Sequence, residues 1–282
     1  MTQIKLFINL IRIKKPVGFM LLFWPCAWGL AYANGIEKNE NFFYYLILFF
    51  LGSVLMRSAG CIFNDFIDKN YDYRVKRTKD RPIASGKISP QRALVYTALL
   101  CMLAFLILIQ FNMTTIFLGL ISMILAFSYP FMKRITYWPQ LFLGLTFNWG
   151  IIMAWAAMGM EMNLNVLILY LAAIFWTLGY DTIYGVQDMS DDEIIGLKST
   201  AIKFKNNIKL FVGISYSITI ILLFYLLNKY LGINLVTALF LVFVFLKIFQ
   251  VYYFDKKDSQ KCLKAFKLNN LSGISLFLVF AI

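Results

Sequence analysis

The chain has 282 residues, of which 61% are hydrophobic and 18% aromatic, and its mean hydropathy is +0.72. This composition excludes a soluble globular domain, which needs far less apolar surface, and predicts an integral protein of the lipid bilayer. The formal net charge of +13 would suit a nucleic-acid partner. However, all basic residues except Lys38, Arg57 and Lys229 are assigned to one side of the predicted helices, which indicates membrane orientation and no nucleic-acid binding.

Apolar stretches of roughly the 20 residues that span a bilayer follow one another along the chain. They predict nine transmembrane helices, at 17–34, 42–63, 91–110, 113–130, 138–158, 164–185, 208–228, 233–253 and 268–282. The ninth is short, because it ends at Ile282. We therefore predict an all-α integral membrane fold that forms a single domain over 1–282, with no obligate protein partner.

The side on which the basic residues gather predicts a cytoplasmic N-terminus, since cytoplasmic loops carry the excess of Lys and Arg. No cleavable signal or transit segment precedes the first stretch, so we expect a multi-pass protein of a bacterial plasma (inner) membrane. Nine of the 14 acidic residues fall in two short segments, one after the second predicted helix and one after the sixth. This spacing predicts two parallel four-helix units plus a ninth helix, with a site between the units on the cytoplasmic side.

The first acidic segment reads Asn64-Asp65-Phe66-Ile67-Asp68-Lys69-Asn70-Tyr71-Asp72. On a continuous helix its three aspartates stand at i, i+3 and i+7 and share one face. The Asn64 amide joins the edge of that face, where it can bind a metal ion or a phosphate oxygen.

The second acidic segment places Asp181, Tyr184, Asp188 and Asp192 at i, i+3, i+7 and i+11. On a helix these four also form one stripe, which leaves Asp191 beside it. The six carboxylates of the two stripes would repel one another unless cations lay between them. Mg²⁺ is held by one or two carboxylates together with substrate phosphates, so the pair of segments predicts a metal-diphosphate site.

Two other interpretations of the acidic segments stay open from the residues alone. The acids can simply solvate helix ends, although two clusters with helical spacing favour a site. A cation transporter also binds ions with intramembrane carboxylates, but it requires acids near the middle of the bilayer, and these lie at one edge.

Four basic residues are candidates for anionic ligands. Arg57 lies in the second helix two turns before Asn64, where it either pairs with a motif aspartate or anchors the carboxylate of an acidic aromatic substrate. Arg81 lies in a basic loop after the first motif, and arginine suits phosphate oxygens. Lys133 and Arg134 occupy another predicted cytoplasmic loop, where phosphate contact and a plain orientation signal are both possible.

The two acidic segments resemble the paired signatures of the UbiA superfamily of membrane prenyltransferases, and both signatures are matched in full. The resemblance is strongest to the branch that prenylates 4-hydroxybenzoate, and it covers most of the chain. It extends to Arg12-x-x-Lys15-Pro16, Arg57-Ser58-Ala59-Gly60-Cys61, Tyr129-Pro130-Phe131-Met132-Lys133-Arg134 and Gly196-x-Lys198-Ser199-Thr200-Ala201. Lys205 departs from the pattern, which has Gly after Phe204, but it lies beyond the acidic site.

This resemblance implies nine helices around a central cavity, Mg²⁺ as cofactor, a polyprenyl diphosphate donor and 4-hydroxybenzoate as acceptor in ubiquinone biosynthesis. It identifies as metal ligands Asp65, Asp68, Asp72, Asp181, Asp188 and Asp192. Diphosphate contacts are expected from Asn64, Arg81, Lys133, Tyr184 and Lys198. Arg57 and Arg134 are candidates for the acceptor carboxylate, and Asp191 for the base or an acceptor contact.

The acceptor is the least determined part of this prediction. A naphthoate, a haem or a chlorophyll-type ring would need the same metal and diphosphate motifs. The chain contains no histidine, so removal of a ring proton must use a carboxylate, a tyrosine, the diphosphate or water.

Overall fold

The computed structural model describes residues 3–75 and 77–282, and these residues are predominantly helical. In chain order the helices are α1 Gln3–Leu10, α2 Val17–Ile36, α3 Phe42–Ile67, α4 Lys69–Asp72, α5 Pro90–Leu108, α6 Met113–Ile135, α7 Pro139–Ala157, α8 Leu164–Gly185, α9 Met189–Ile194, α10 Thr200–Lys203, α11 Ile208–Leu227, α12 Leu235–Tyr253, α13 Ser259–Lys267 and α14 Asn269–Ala281. The all-α membrane fold predicted from the composition is thereby confirmed.

Eight of the described helices, α2, α3, α5, α6, α7, α8, α11 and α12, are long and apolar enough to cross a membrane. The ninth predicted helix is present as α14, but its 13 residues extend only about 20 Å at 1.5 Å per residue. That length is short of the about 30 Å of a bilayer core. The ninth predicted helix thus corresponds to α14, which packs against α2 and α12, and the described residues supply eight helices of spanning length.

Helix starts are fixed by side chains that the sequence places just before each apolar stretch. Asn112, Asn163 and Asn234 accept hydrogen bonds from backbone N–H groups in the first turns of α6, α8 and α12, at 2.9, 3.1 and 2.9 Å. Ser89 caps α5 in the same way and is followed by Pro90 at the first helical position. These caps satisfy donors that would otherwise be unpaired.

The helices α2 and α8 form the interior of the bundle, and α5, α6 and α12 lie at its periphery. Trp28 of α2 packs on Trp176 of α8 with ring centroids 4.7 Å apart, and its Nε1 donates to the Gly273 carbonyl oxygen of α14 at 2.9 Å. The peripheral helices expose large apolar side chains, as Leu106 of α5 and Phe245 of α12 do. Such outward apolar faces are what a lipid environment requires.

Both acidic segments break their helices instead of continuing them. Helix α3 ends at Ile67 and Asp68 stands between α3 and α4, while α8 ends at Gly185 and Asp188 immediately precedes α9. The prediction of two continuous helical stripes is therefore wrong. The acids are therefore carried by the two short helices α4 and α9 and the residues before them, as well as by the spanning helices α3 and α8.

One basic residue was assigned to the wrong environment by the charge distribution. Lys247, counted with the residues of one membrane side, lies inside α12 and is 1% exposed. The charge asymmetry itself rests on the remaining residues and is unaffected.

Candidate functional site

A cavity of about 1110 Å³ opens among the described residues where the two acidic segments meet. It is bordered by α1 to α3, α5 to α8 and the short segments beside them, whereas none of the described residues of α11, α12 or α14 lines it. The cavity is thus built by the first four-helix unit together with α7 and α8. All six predicted metal ligands line it: Asp65, Asp68, Asp72, Asp181, Asp188 and Asp192.

The carboxylates of the first segment are buried and held by basic side chains. Asp65 is 2% exposed and accepts hydrogen bonds from Arg12 and, at 3.0 Å, from Arg81 Nη1. The same Arg81 nitrogen donates to Asp72 Oδ2 at 2.7 Å. Asp68 is fully buried and accepts from Lys133. Burial without these bonds would be strongly unfavourable for an ionised carboxylate.

The second segment has one such pair at the cavity edge. Arg77 donates through two nitrogens to the two oxygens of Asp188, with Nε 2.6 Å from Oδ1. Its Nη1 also donates to the Tyr184 hydroxyl at 3.3 Å, and its guanidinium lies 5.7 Å from the Tyr184 ring. Burial lowers the pKa of Arg77, but the bond to Asp188 outweighs it and the pKa is raised above its usual value.

Burial disfavours the ionised form of two carboxylates at the cavity rim. Burial, and next the charge of Asp188, raise the pKa of Asp192 to about 6. Burial also raises the pKa of Asp72, although Arg81 opposes that shift. Both effects disfavour the ionised form, which a bound divalent cation would favour.

The donor set fits a hard divalent ion whose shell is completed by a ligand. All the candidate ligands are carboxylate oxygens, which suit Mg²⁺. No three acidic or cysteine side chains of the described residues stand close enough to enclose one ion. Mg²⁺ does not need such a cage, since it keeps several waters and shares substrate phosphates. The residues therefore fit a metal held between one or two carboxylates and a diphosphate.

The predicted diphosphate contacts all border the same cavity: Asn64, Arg81, Lys133, Tyr184 and Lys198. Lys198 donates through Nζ to the Ile135 carbonyl oxygen at 3.2 Å, which holds the loop before α10 against the end of α6. The structure adds Arg12 and Arg77, which the sequence analysis did not select. Their carboxylate partners lie 53 and 111 positions away. The family text around Arg12 and the basic loop that contains both Arg77 and Arg81 were the only sequence signals for them.

Arg57 lies deeper in the cavity than the acids of the first segment. Its guanidinium carbon is 5.4 Å from the centroid of the Phe147 ring, and its Nε is buried without a hydrogen-bond partner in the described part of the chain. Asp181 is the acid that interacts with it electrostatically, but the two do not form an ion pair within 4.0 Å. Of the two roles considered for Arg57, pairing with a motif aspartate is therefore the less supported.

Two predicted residues are not brought to the cavity. Arg134 donates to Asp68 Oδ1 at 3.2 Å and to the Ile67 carbonyl oxygen at 2.8 Å, and it lies over the Tyr71 ring. It thus supports the break between α3 and α4. Asp191 lies in the first turn of α9 and does not line the cavity, whereas the adjacent Asp192, which belonged to the predicted stripe, does.

Comparisons with known proteins agree with this architecture. The model of the UbiA prenyltransferase family matches residues 22–271. A protein of Vibrio atlanticus (strain LGP32) named 4-hydroxybenzoate octaprenyltransferase is 43% identical over 284 residues, which cover 99% of each chain. A protein of the same name from Pseudomonas aeruginosa (strain LESB58) is 39% identical over 280 residues, covering 96% of this chain and 91% of its own.

Solved structures share the fold at lower identity. The apo structure of a UbiA homolog from Aeropyrum pernix K1 superposes with a TM-score of 0.77 at 21% identity, over 92% of this chain and 96% of that one. A UbiA homolog from Archaeoglobus fulgidus bound to GPP and Mg²⁺ gives 0.73 at 17% identity, over 98% and 100%. The resemblance drawn from the acidic motifs is confirmed: this chain belongs to the UbiA prenyltransferase family.

Proposed function

We propose that this chain transfers a polyprenyl group from polyprenyl diphosphate to 4-hydroxybenzoate, at the ring carbon ortho to the hydroxyl, in ubiquinone biosynthesis. The observation that carries the proposal is one cavity that combines six carboxylates, a ring of basic side chains and an unpaired deep arginine. The names of the Vibrio and Pseudomonas relatives support the acceptor. The Archaeoglobus homolog bound to GPP and Mg²⁺ supports the donor and the metal.

The cavity would hold Mg²⁺ through Asp65, Asp68 and Asp72 of the first segment and Asp181, Asp188 and Asp192 of the second. A metal ion held by these carboxylates would supply positive charge against the charge that develops on the leaving diphosphate. The bases that now pair with these acids then become available to phosphate oxygens, because each carboxylate would have a metal partner instead. Arginine forms bidentate bonds to phosphate as readily as to carboxylate.

The rest of the cavity suits an apolar chain. Its walls away from the rim are contributed mainly by aliphatic, aromatic and methionine side chains, among them Leu21, Leu48, Phe49, Leu108, Phe111, Met123 and Met153. Such walls bury a polyprenyl tail and keep water away from an allylic cation, which water would otherwise consume.

The acceptor would lie below the rim with its carboxylate on Arg57 and its ring beside Phe147. Arg134, the other candidate, is already engaged by Asp68 and stays a prediction. The ring carbon would then attack the allylic carbon as the bond to diphosphate breaks, and the ring proton would leave to an oxygen base. Asp191 as that base also stays a prediction, since it lies off the cavity. The charge distribution supports a cytoplasmic N-terminus and site in a bacterial inner membrane.

The test is transfer of labelled polyprenyl from its diphosphate to 4-hydroxybenzoate in membranes, with wild type, Asp68→Ala and Asp188→Ala. We expect both variants to lose at least about 100-fold in rate, a barrier increase of about 3 kcal/mol, and chelator to abolish transfer. Glu193→Gln is the matched control, because Glu193 belongs to the second segment but pairs with Lys205 at the surface.

The outcomes separate the parts of the proposal. No transfer by wild type to 4-hydroxybenzoate, but transfer to another aromatic ring, would overturn the acceptor and leave the donor site standing. Activity that survives both aspartate substitutions would overturn the metal-diphosphate assignment.

A further inference from the structure

Tyr180 of α8 borders the cavity with a buried hydroxyl that has no partner. Its side chain is 1% exposed, and no group of the described residues meets its hydroxyl in hydrogen-bonding geometry. Thr177, one turn earlier on α8, is a neighbouring polar group, but its hydroxyl does not reach the Tyr180 hydroxyl in hydrogen-bonding geometry and accepts from Asn148 Nδ2 at 2.8 Å. An unsatisfied buried hydroxyl destabilises a fold, so its retention in a cavity wall indicates a ligand.

The Tyr180 ring is held between two aromatic neighbours. The Trp176 and Phe266 rings contact it edge-on, with centroids 4.9 and 5.8 Å away. Trp176 is itself fixed, since its Nε1 donates to Asn269 Oδ1 at 2.9 Å. The ring therefore keeps its place in the wall, and a partner for the hydroxyl has to come from the cavity.

Arg57 is the second unsatisfied donor of the same cavity. Five buried side-chain polar atoms of the described residues lack a partner, and only Arg57 Nε and Tyr180 Oη belong to residues that line the cavity. The Arg57 guanidinium lies over the Phe147 ring. Asn148, the next residue of α7, donates to Thr177 one turn before Tyr180, so the two donors face the same part of the cavity. Two convergent donors in a buried pocket call for one ligand that accepts from both.

We propose that Tyr180 and Arg57 together clamp the carboxylate of the aromatic acceptor, with Tyr180 as a further binding residue; this rests on the proposed function. A carboxylate only accepts hydrogen bonds and has lone pairs for both donors, and bonds to charged groups are the stronger kind. Arg57 precedes Asp65 by eight helical residues, about 12 Å along α3. A carboxylate bound at that depth directs the opposite, hydroxyl-bearing edge of the ring toward the rim, where the diphosphate binds.

The experiment measures equilibrium binding of 4-hydroxybenzoate and of uncharged 4-hydroxybenzamide to the purified full-length protein. Variants are Tyr180→Phe and, as matched control, Tyr216→Phe. Tyr216 is equally buried, but its hydroxyl donates to Gln250 Oε1 at 2.7 Å and it lies off the cavity. Both substitutions remove one oxygen atom.

We expect Tyr180→Phe to raise the Kd of 4-hydroxybenzoate about 10- to 150-fold, the effect of a lost bond to a charged group. The Kd of the amide should change less than about threefold, and so should the KM of polyprenyl diphosphate. Tyr216→Phe should leave both Kd values unchanged and lower only the thermal midpoint. Because Tyr180→Phe removes an unsatisfied group, its thermal midpoint should not fall.

Two results would overturn the clamp: an unchanged Kd of 4-hydroxybenzoate in Tyr180→Phe, or an equal loss of acid and amide binding. Equal loss would mean that the hydroxyl shapes the wall without binding a carboxylate. Failure of the wild type to bind 4-hydroxybenzoate at all is a different result, which would remove the proposed acceptor and the clamp with it.

Discussion

Replacing Lys247 with methionine tests whether a buried ammonium stabilises the C-terminal helices. Lys247 donates through Nζ to Asn269 Oδ1 at 2.6 Å and to Gln250 Oε1 at 3.3 Å. The rings of Tyr216, Phe243 and Trp176 surround it at 4.8, 5.3 and 5.7 Å from Nζ to their centroids. No carboxylate of the described residues forms an ion pair with it.

The favourable and unfavourable terms for this ammonium nearly cancel. Burial of an ion costs several kcal/mol, and charged hydrogen bonds (about 1.5–3 kcal/mol) and cation–π contacts (up to about 2 kcal/mol) offset this cost without adding in full, because they share one ammonium. Methionine has a similar shape and leaves no acceptor unpaired. Asn269 still accepts from Trp176 Nε1 at 2.9 Å, and Gln250 still accepts from Tyr216 at 2.7 Å. We therefore expect Lys247→Met to change the unfolding free energy by no more than about 1 kcal/mol.

Asn269→Ala is the contrasting variant. It removes the closest acceptor of the ammonium and leaves the Trp176 N–H without a partner, so we expect a loss of about 3–5 kcal/mol. The two variants therefore remove the two partners of one hydrogen bond in turn, and the changes in unfolding free energy that they cause should differ in sign or size. That difference distinguishes an expensive charge that is merely tolerated from a charge that holds the helices together.

The assay is thermal unfolding of the purified protein in detergent, where a domain of this size shifts by about 2–4 °C per kcal/mol. Lys229→Met, which neutralises an exposed lysine, is the control. We expect Asn269→Ala to lower the midpoint by about 6 °C or more and Lys247→Met by less than about 4 °C. If Lys247→Met is as damaging as Asn269→Ala, the reasoning about the uncompensated charge is refuted.

Three further changes address the cavity. In Gly18→Ala the new Cβ would lie 3.0 Å from Arg57 Nε and displace it, so acceptor KM should rise while donor KM stays constant. Arg77→Met removes the basic partner of Asp188. The affinity for a divalent metal, measured by titration calorimetry, should therefore be unchanged or higher, while the KM of the prenyl donor rises. Weaker metal binding would contradict the pairing of Arg77 with Asp188. The Asp192 pKa is raised to about 6, so protons compete with the metal ion for this carboxylate below that pH. The affinity for the divalent metal should therefore rise with pH up to about pH 6–7 and stay constant above it. In Asp192→Asn this pH dependence of metal affinity should disappear.

Periodicity and hydropathy predicted the positions of the spanning helices because lipid imposes a length and an apolar surface on each of them. They also found all six cavity aspartates, since acids are rare in such a chain. They did not find the breaks at Asp68 and Asp188, because acidic residues three or four positions apart give the same sequence pattern in a continuous helix and in a helix that ends between them. The shortness of α14 is visible in its 13 residues, yet an apolar stretch alone does not reveal how a helix packs.

Which basic residue pairs with which aspartate could not be predicted from the sequence, for a different reason. Arg12, Arg77 and Lys133 contact acids that are 53, 111 and 65 positions away, and no local pattern encodes such pairings. Basic loop residues also determine membrane orientation, so their number alone does not show which of them pair with carboxylates or bind phosphate. The buried Lys247 illustrates the converse, because a lysine counted with loop charges turned out to lie among aromatic rings.

The pairing of acids with bases explains how one cavity can hold charges of both signs without a ligand. In a buried site each uncompensated charge is costly, and the ion pairs of Arg81 with Asp65 and Asp72 and of Arg77 with Asp188 balance charges of opposite sign. If metal ions bind the carboxylates, those same arginines lose their partners and become sites for an anion. Binding of a metal and of a diphosphate is then coupled, because each exposes the groups that the other neutralises. A donor that arrives with its metal satisfies both sets at once, whereas either alone leaves one set unpaired.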